Sequence, residues 1–150
     1  MAEAVSIAIA VAADREELFA LFGDWDRSYA FDEGDFLDSF ARILADGKNR
    51  VLVARLGGRI VGFLQCFPCV ELGLKPYLEI AELLVAEGKR SRGVGKALLA
   101  AAEARSRELG LRVVKLHSQT HRDRAHAFYE REGYVRFKSS HFYEKSMPRV

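Results

Sequence analysis

Arg90-Ser91-Arg92-Gly93-Val94-Gly95-Lys96 lies between an apolar run, Leu78-Glu79-Ile80-Ala81-Glu82-Leu83-Leu84-Val85, and a run of strong helix formers, Ala97-Leu98-Leu99-Ala100-Ala101-Ala102-Glu103. The first run reads as a strand and the second as a helix. A basic, glycine-bearing turn between them can wrap an anion. Glycine lets the backbone come close, and the helix N-terminus points its unpaired N–H groups at the same spot. A phosphate-bearing ligand is the expectation. The stretch is no Walker loop, because Lys-Ser/Thr does not follow the second glycine at the required spacing, and G-x-G-x-x-G is absent. Taken alone, it is equally compatible with a plain strand–helix connection carrying surface arginines.

Outward from this turn, the elements order themselves. Val5–Ile9 alternates as a first strand, and Asp14 is expected to cap a helix to Phe22 with Glu17 at the reciprocal capping-box position. Asp35–Asp46 reads as a second helix with Phe36, Phe40, Ile43 and Leu44 on one face. Arg50–Leu56 and Ile60–Phe67 read as a hairpin about Gly57-Gly58, with Pro68 ending the pairing or sitting on an edge. After the central strand come a helix over Val94–Leu109 stopped by Gly110, a strand over Val113–His117, and a helix over Arg122–Glu132 stopped by Gly133. Two short strands are expected around Tyr134–Phe137 and Phe142–Lys145. The early hairpin implies an antiparallel half and the later strand–helix–strand unit a parallel crossover. The fold class is therefore α/β, with a mixed, mostly antiparallel sheet and helices on both faces.

The 150 residues suit a single domain, and 49% hydrophobic with 29% charged residues is ordinary for a globular protein. No apolar run is long enough to span a bilayer, and the N-terminal residues lack the features of a secretory signal, so a cytoplasmic location is expected. The net charge of +2 hides an asymmetry: residues 1–46 carry eleven acids against three bases, a local −8, which leaves +10 for the remainder. Cys66-Phe67-Pro68-Cys69 ends a strand with no helix behind it, which suits packed or edge thiols better than a redox pair. Neither these cysteines nor the four histidines, His117, His121, His126 and His141, suggest a metal site.

Past the next strand, Ala125, Phe128, Tyr129, Gly133 and Tyr134 form Ala-x-x-Phe-Tyr-x-x-x-Gly-Tyr. Together with Arg-x-x-Gly-x-Gly at residues 90–95, in this order and separation, the chain resembles the GNAT superfamily of acetyl-CoA-dependent N-acetyltransferases. The resemblance runs from the first strand to the C-terminus. It implies acetyl-CoA as co-substrate. The backbone of Ser91, Arg92, Gly93, Val94, Gly95 and Lys96 would hold its pyrophosphate, and Arg90, Arg92 and Lys96 would add charge at the rim. The pantetheine arm would pair with Leu83, Leu84 and Val85, and an N–H near Val85 would polarise the thioester carbonyl. Tyr129 resembles the family's general acid toward the departing thiolate. A thiol near pKa 8.5 and a tyrosine near 10 make full proton transfer uphill by about 2 kcal/mol, so stabilising the thiolate by a hydrogen bond is an alternative role. The chain departs from the family pattern at Ser91, where many members carry glycine and where a serine serves if φ stays negative. It departs also at Arg122 in place of asparagine, and at Ala86-Glu87-Gly88, which lacks the frequent proline.

An alkylammonium has a pKa near 10 and must lose a proton before it attacks. Glu79 and Glu82 are the candidate bases, though residues three apart on a strand face opposite sides unless a bulge intervenes. His117, at the end of the following strand, is the alternative base. The acceptor is expected to be a small primary amine. Asp32, Glu33 and Asp35 with Trp25, Tyr29, Phe31 and Phe36 would suit a cationic one. The stretches 79–85 and 125–134 also resemble aminoalkylphosphonate N-acetyltransferases, although a phosphonate calls for a basic pocket. A protein N-terminus or lysine as acceptor, or an acyl-CoA-binding sensor without turnover, are the alternatives. No nucleic-acid or membrane partner is expected. A homodimer is a family-level expectation.

Overall fold

Alternating apolar residues build a five-stranded sheet in the order β1-β2-β3-β4-β5. The computed structural model describes residues 3–23 and 32–149. β1 (Ser6–Ile9), β2 (Arg50–Leu56), β3 (Arg59–Cys69) and β4 (Tyr77–Val85) pair antiparallel in succession, and β5 (Val114–Leu116) joins β4 in parallel. These strands belong to a first unit, Met1–His117, and a second unit spans Ser118–Val150.

The pleat of β3 sorts the core into two layers. Phe63 and Gln65 project to one face, and Gly62, Leu64 and Cys66 to the other. α1 (Arg15–Phe22) and α2 (Glu33–Ala45) cover the first face. There Leu18, Leu21 and Phe40 share a buried cluster with Val51, Val53, Phe63 and Leu84, and Phe22 stacks on Phe63 with ring centroids 4.9 Å apart. α3 (Val94–Glu108) covers the second face with Val94, Leu98, Ala102 and Ser106, buried residues recurring every fourth position. Fully burying one such leucine stabilises by about 1.5–3 kcal/mol.

Gly62 sets how closely α3 approaches. A Cβ there would stand 2.9 Å from the Leu84 carbonyl oxygen, 3.1 Å from Val94 Cγ1 and 3.3 Å from Leu98 Cδ1. Gly62→Ala is expected to destabilise by about 1–3 kcal/mol, the range for overpacking, because a backbone atom cannot rotate away. Urea denaturation monitored by circular dichroism measures this.

Three expectations need correction. Asp14 and Glu17 form no capping box. The Asp14 carboxylate accepts from Val11 N and pairs with Arg55, and Glu17 Oε2 accepts from Ile60 N at 3.0 Å. Residues far apart in sequence thus claim both side chains. Leu44 is 40% exposed and leaves the apolar face of α2, where Phe36, Phe40 and Ile43 remain. The two strands expected after Tyr134 do not form: residues 134–149 carry no strand, and Val135, Phe137, Phe142 and Tyr143 are exposed. Alternation makes a strand only where a neighbouring ladder pairs it.

Candidate active site

β4 carries one residue too many for its partner. Gln65 pairs with Glu82, but the next residue, Cys66, pairs with Ile80, so Ala81 bulges out. The bulge re-phases the strand. Glu79 lies opposite Phe67 and Glu82 opposite Gln65, positions two apart on β3, so both carboxylates belong to the face that α1 and α2 cover. The two candidate bases therefore share a face.

The parallel partner adds a third group. β5 pairs Leu78 with Val114, Glu79 with Lys115 and Ile80 with Leu116. His117 follows one step on, level with the bulge. Its Nδ1 lies 2.8 Å from Glu79 Oε1. The Glu79 side chain is only 13% exposed and the His117 ring is 57% exposed. Beyond Ile80, β4 keeps only β3 as a strand neighbour among the described residues. The β5-side edge of Leu83, Leu84 and Val85, beyond the end of β5, can serve as a template for an extended ligand. Leu84 is buried in the core, while Leu83 and Val85 are half-buried.

The turn after β4 is built from left-handed backbone. Gly88 has φ 81°, Ser91 φ 66° and Gly93 φ 79°. Ser91 thus adopts a positive φ, so the condition set for a serine at this position, a negative φ, is not met. For an L-residue this conformation costs roughly 1–2 kcal/mol, strain of the sort found at ligand clamps. Arg90 Nε donates to the Val85 carbonyl at 3.3 Å, and Arg92 and Lys96 are exposed. α3 starts with no side-chain cap, and its first helical bond runs from Ala97 N to Gly93 O. The N–H groups of Val94, Gly95 and Lys96 therefore have no acceptor within the helix. A Cβ on Gly93 would meet nothing within 4 Å. Positive side chains, helix donors with no acceptor in their own helix and open space beside Gly93 together fit a diphosphate.

In the second unit, α4 (Asp123–Arg131) carries Tyr129. Gly133, at φ 93°, lets Tyr134 N reach the Tyr129 carbonyl at 2.9 Å and Gly133 N reach that of Glu130. This is a Schellman closure. It sets the Tyr134 ring edge-on to Tyr129, centroids 6.2 Å apart, while Phe128 packs at 5.3 Å. The motif spacing thus has a mechanical meaning: Gly133 turns the chain so that Tyr134 packs against Tyr129. His126 Nε2 donates to the Gln119 carbonyl at 2.8 Å, a local clamp.

The other candidates resolve simply. Cys66 and Cys69 are free thiols three residues apart on β3, so they project to opposite faces, and burial pushes the Cys66 thiol up. Among the described residues no group of three or more His, Cys, Asp or Glu could hold a metal ion, and no helix is long and apolar enough to cross a membrane. Asp32 caps α2 by accepting from Asp35 N at 2.9 Å, and Phe36 packs against Phe19, Phe22 and Phe40. Trp25, Tyr29 and Phe31 lie outside the described residues. The Glu79–His117 pair escaped the sequence reading, although placing Val113–His117 beside the central strand in parallel was the signal that could have found it.

Comparison with known proteins gives the arrangement a family. The acetyltransferase (GNAT) family profile matches residues 13–134. An aminoalkylphosphonate N-acetyltransferase of Salmonella typhimurium is 33% identical over 130 residues, 86% of this chain and 82% of that protein. The aminoglycoside N-acetyltransferase AAC(6')-Iy in complex with CoA superposes with a TM-score of 0.85 at 19% identity, covering 97% of both chains. A structure described as a transcriptional regulator from Bacillus halodurans C-125 is 26% identical with a TM-score of 0.79, over 96% of this chain and 99% of that one. The family profile and the Salmonella typhimurium relative agree: this chain is a member of the GNAT acetyltransferase family, an acyltransferase with acetyl-CoA as its co-substrate.

Proposed function

We propose that the protein transfers the acetyl group of acetyl-CoA directly to a small primary amine, one carrying positive charge. The observation that carries this reading is the face of β4 that holds Glu79, in contact with His117, and Glu82, beside an edge that has no second strand among the described residues. Carboxylates and an imidazole attract an ammonium and accept its proton.

Each part has a task. The N–H groups at the start of α3, with Arg90, Arg92 and Lys96 at the rim, bind the diphosphate. The open edge of Leu83, Leu84 and Val85 hydrogen-bonds the amide-bearing pantetheine arm as a strand would. An N–H of that edge polarises the thioester carbonyl, and the strength of such a donor comes from its being fixed before the charge develops. Tyr129 is proposed, on its motif, as the group that hydrogen-bonds or protonates the departing thiolate.

The relative from Salmonella typhimurium makes an aminoalkylphosphonate the second acceptor to try. The carboxylates on the β4 face disfavour a phosphonate dianion, which places small diamines and polyamines ahead of it. An assay of thiol release from acetyl-CoA across an amine panel tests the reading. The panel holds short diamines, aminoalkylphosphonates, an aminoglycoside and a lysine peptide. Amine-dependent release, fastest with the small cations, is the expected result. Saturable acetyl-CoA binding with no release by any amine would make the protein a sensor instead.

A further inference from the structure

We propose that His117 takes the proton from the incoming ammonium and that Glu79 is its positioning residue. This rests on the reading of the chain as an amine acetyltransferase and names the base within it.

Three observations converge. The parallel register puts His117 one step beyond Leu116, level with Ala81, where β4 loses its second strand neighbour. Alternation returns His117 to the side of Lys115, the residue paired with Glu79, so ring and carboxylate share a face. The contact is made, at 2.8 Å between Nδ1 and Oε1. An ionised carboxylate only accepts, so Nδ1 carries the hydrogen and Nε2 the lone pair.

Burial then assigns the roles. Glu79, at 13% exposure, stands behind the ring, while His117, at 57%, faces what arrives from solvent. A carboxylate in the rear holds the ring and stabilises the imidazolium once it forms. The charged groups brought to this face by the same strands are Glu82 and Lys115, and the Lys115 ammonium lies over the Tyr77 ring at 4.1 Å.

The steps balance. Nε2 takes one proton from the ammonium. The freed lone pair forms the C–N bond at the thioester carbonyl, and the C–S bond breaks with its electrons passing to sulfur. A second nitrogen proton ends on the thiolate, giving coenzyme A and the amide. The imidazolium returns its proton to water.

The test uses the full chain with an amine that it acetylates, and the variants His117→Gln, Glu79→Gln and Glu82→Gln. For His117→Gln, kcat/KM is expected to fall about 100-fold, the lower end of general-base contributions, with loss of the acidic limb of the pH profile. The calorimetric acetyl-CoA affinity should stay within about twofold, since the ring lies outside the diphosphate turn. Glu79→Gln is expected to cost about 10-fold in kcat while the KM for the amine stays within about twofold, the split expected of a residue that positions the base. Added imidazole should restore part of the rate of His117→Ala, which a purely structural role would not allow. An unchanged rate and limb in His117→Gln overturns the assignment, as does loss of the limb in Glu82→Gln alone. Wild-type protein that releases no thiol with any amine would overturn the acetyltransferase reading itself, a result distinct from turnover indifferent to His117.

Discussion

Replacing Gly93 with aspartate is expected to weaken acetyl-CoA binding by about 10³-fold while leaving the fold in place. Gly93 caps α3 with no side chain, at φ 79°, and a Cβ there points into open space. A carboxylate in that space would occupy the region proposed for the diphosphate and repel it. Each charge-assisted hydrogen bond lost is worth about 1.5–3 kcal/mol, so losing two accounts for the effect. Stability responds differently. The left-handed backbone costs aspartate about 1 kcal/mol, and a negative charge at the helix N-terminus gives back about 0.3–1 kcal/mol. Titration calorimetry should therefore show the binding heat vanish at ordinary concentrations, while the melting temperature of the free protein moves by only a few degrees. Unchanged acetyl-CoA affinity would mean that the diphosphate sits elsewhere.

The second large effect concerns stability alone. Asp14→Ala is expected to destabilise the protein by about 3 kcal/mol, the lower end of the range for breaking a buried ion pair. The Asp14 side chain is 8% exposed, and its carboxylate pairs with Arg55 while accepting from Val11 N at 2.9 Å. Removing it orphans a guanidinium that is itself only 26% exposed. It also opens the 3-10 turn Ala12–Asp14 that leads into α1. For a chain of this length the loss corresponds to roughly 6–12 °C in melting temperature. Asp14→Asn keeps an acceptor for Val11 and should lose less. The double variant Asp14→Ala, Arg55→Met should recover part of the loss, because no buried charge is left unpaired. A loss in the double variant equal to the sum of the Asp14→Ala and Arg55→Met losses would show that the pair is not coupled.

Asp14 also marks where sequence reading reaches its limit. An acid before an amphipathic run is a fair signal for a helix start, and α1 does begin at Arg15. The carboxylate was taken by a partner forty-one positions away, which no local pattern encodes. The same division holds throughout. β2, β3, β4 and α3 were legible because apolar periodicity, Gly57-Gly58 and Gly110 are local features. The turn from β4 into α3 was legible because its glycines are adjacent in sequence to a run of helix formers. The sign of φ at Ser91 was not, since only the closed turn dictates it. Nor was the Glu79–His117 contact, which depends on parallel register across a helix-long crossover. The missing final strands failed for the opposite reason: their aromatic and branched strand formers are plain, but pairing is a property of two segments.

The bulge at Ala81 has an evolutionary corollary. Because side chains on a strand obey a two-beat rhythm, the three-residue separation of Glu79 and Glu82 would put them on opposite faces in an unbroken ladder; the extra alanine restores the phase, and deleting it would leave them two apart and still on one face. A one-codon insertion or deletion at this position can thus be absorbed by the bulge, with the side chains beyond it keeping their side of the sheet.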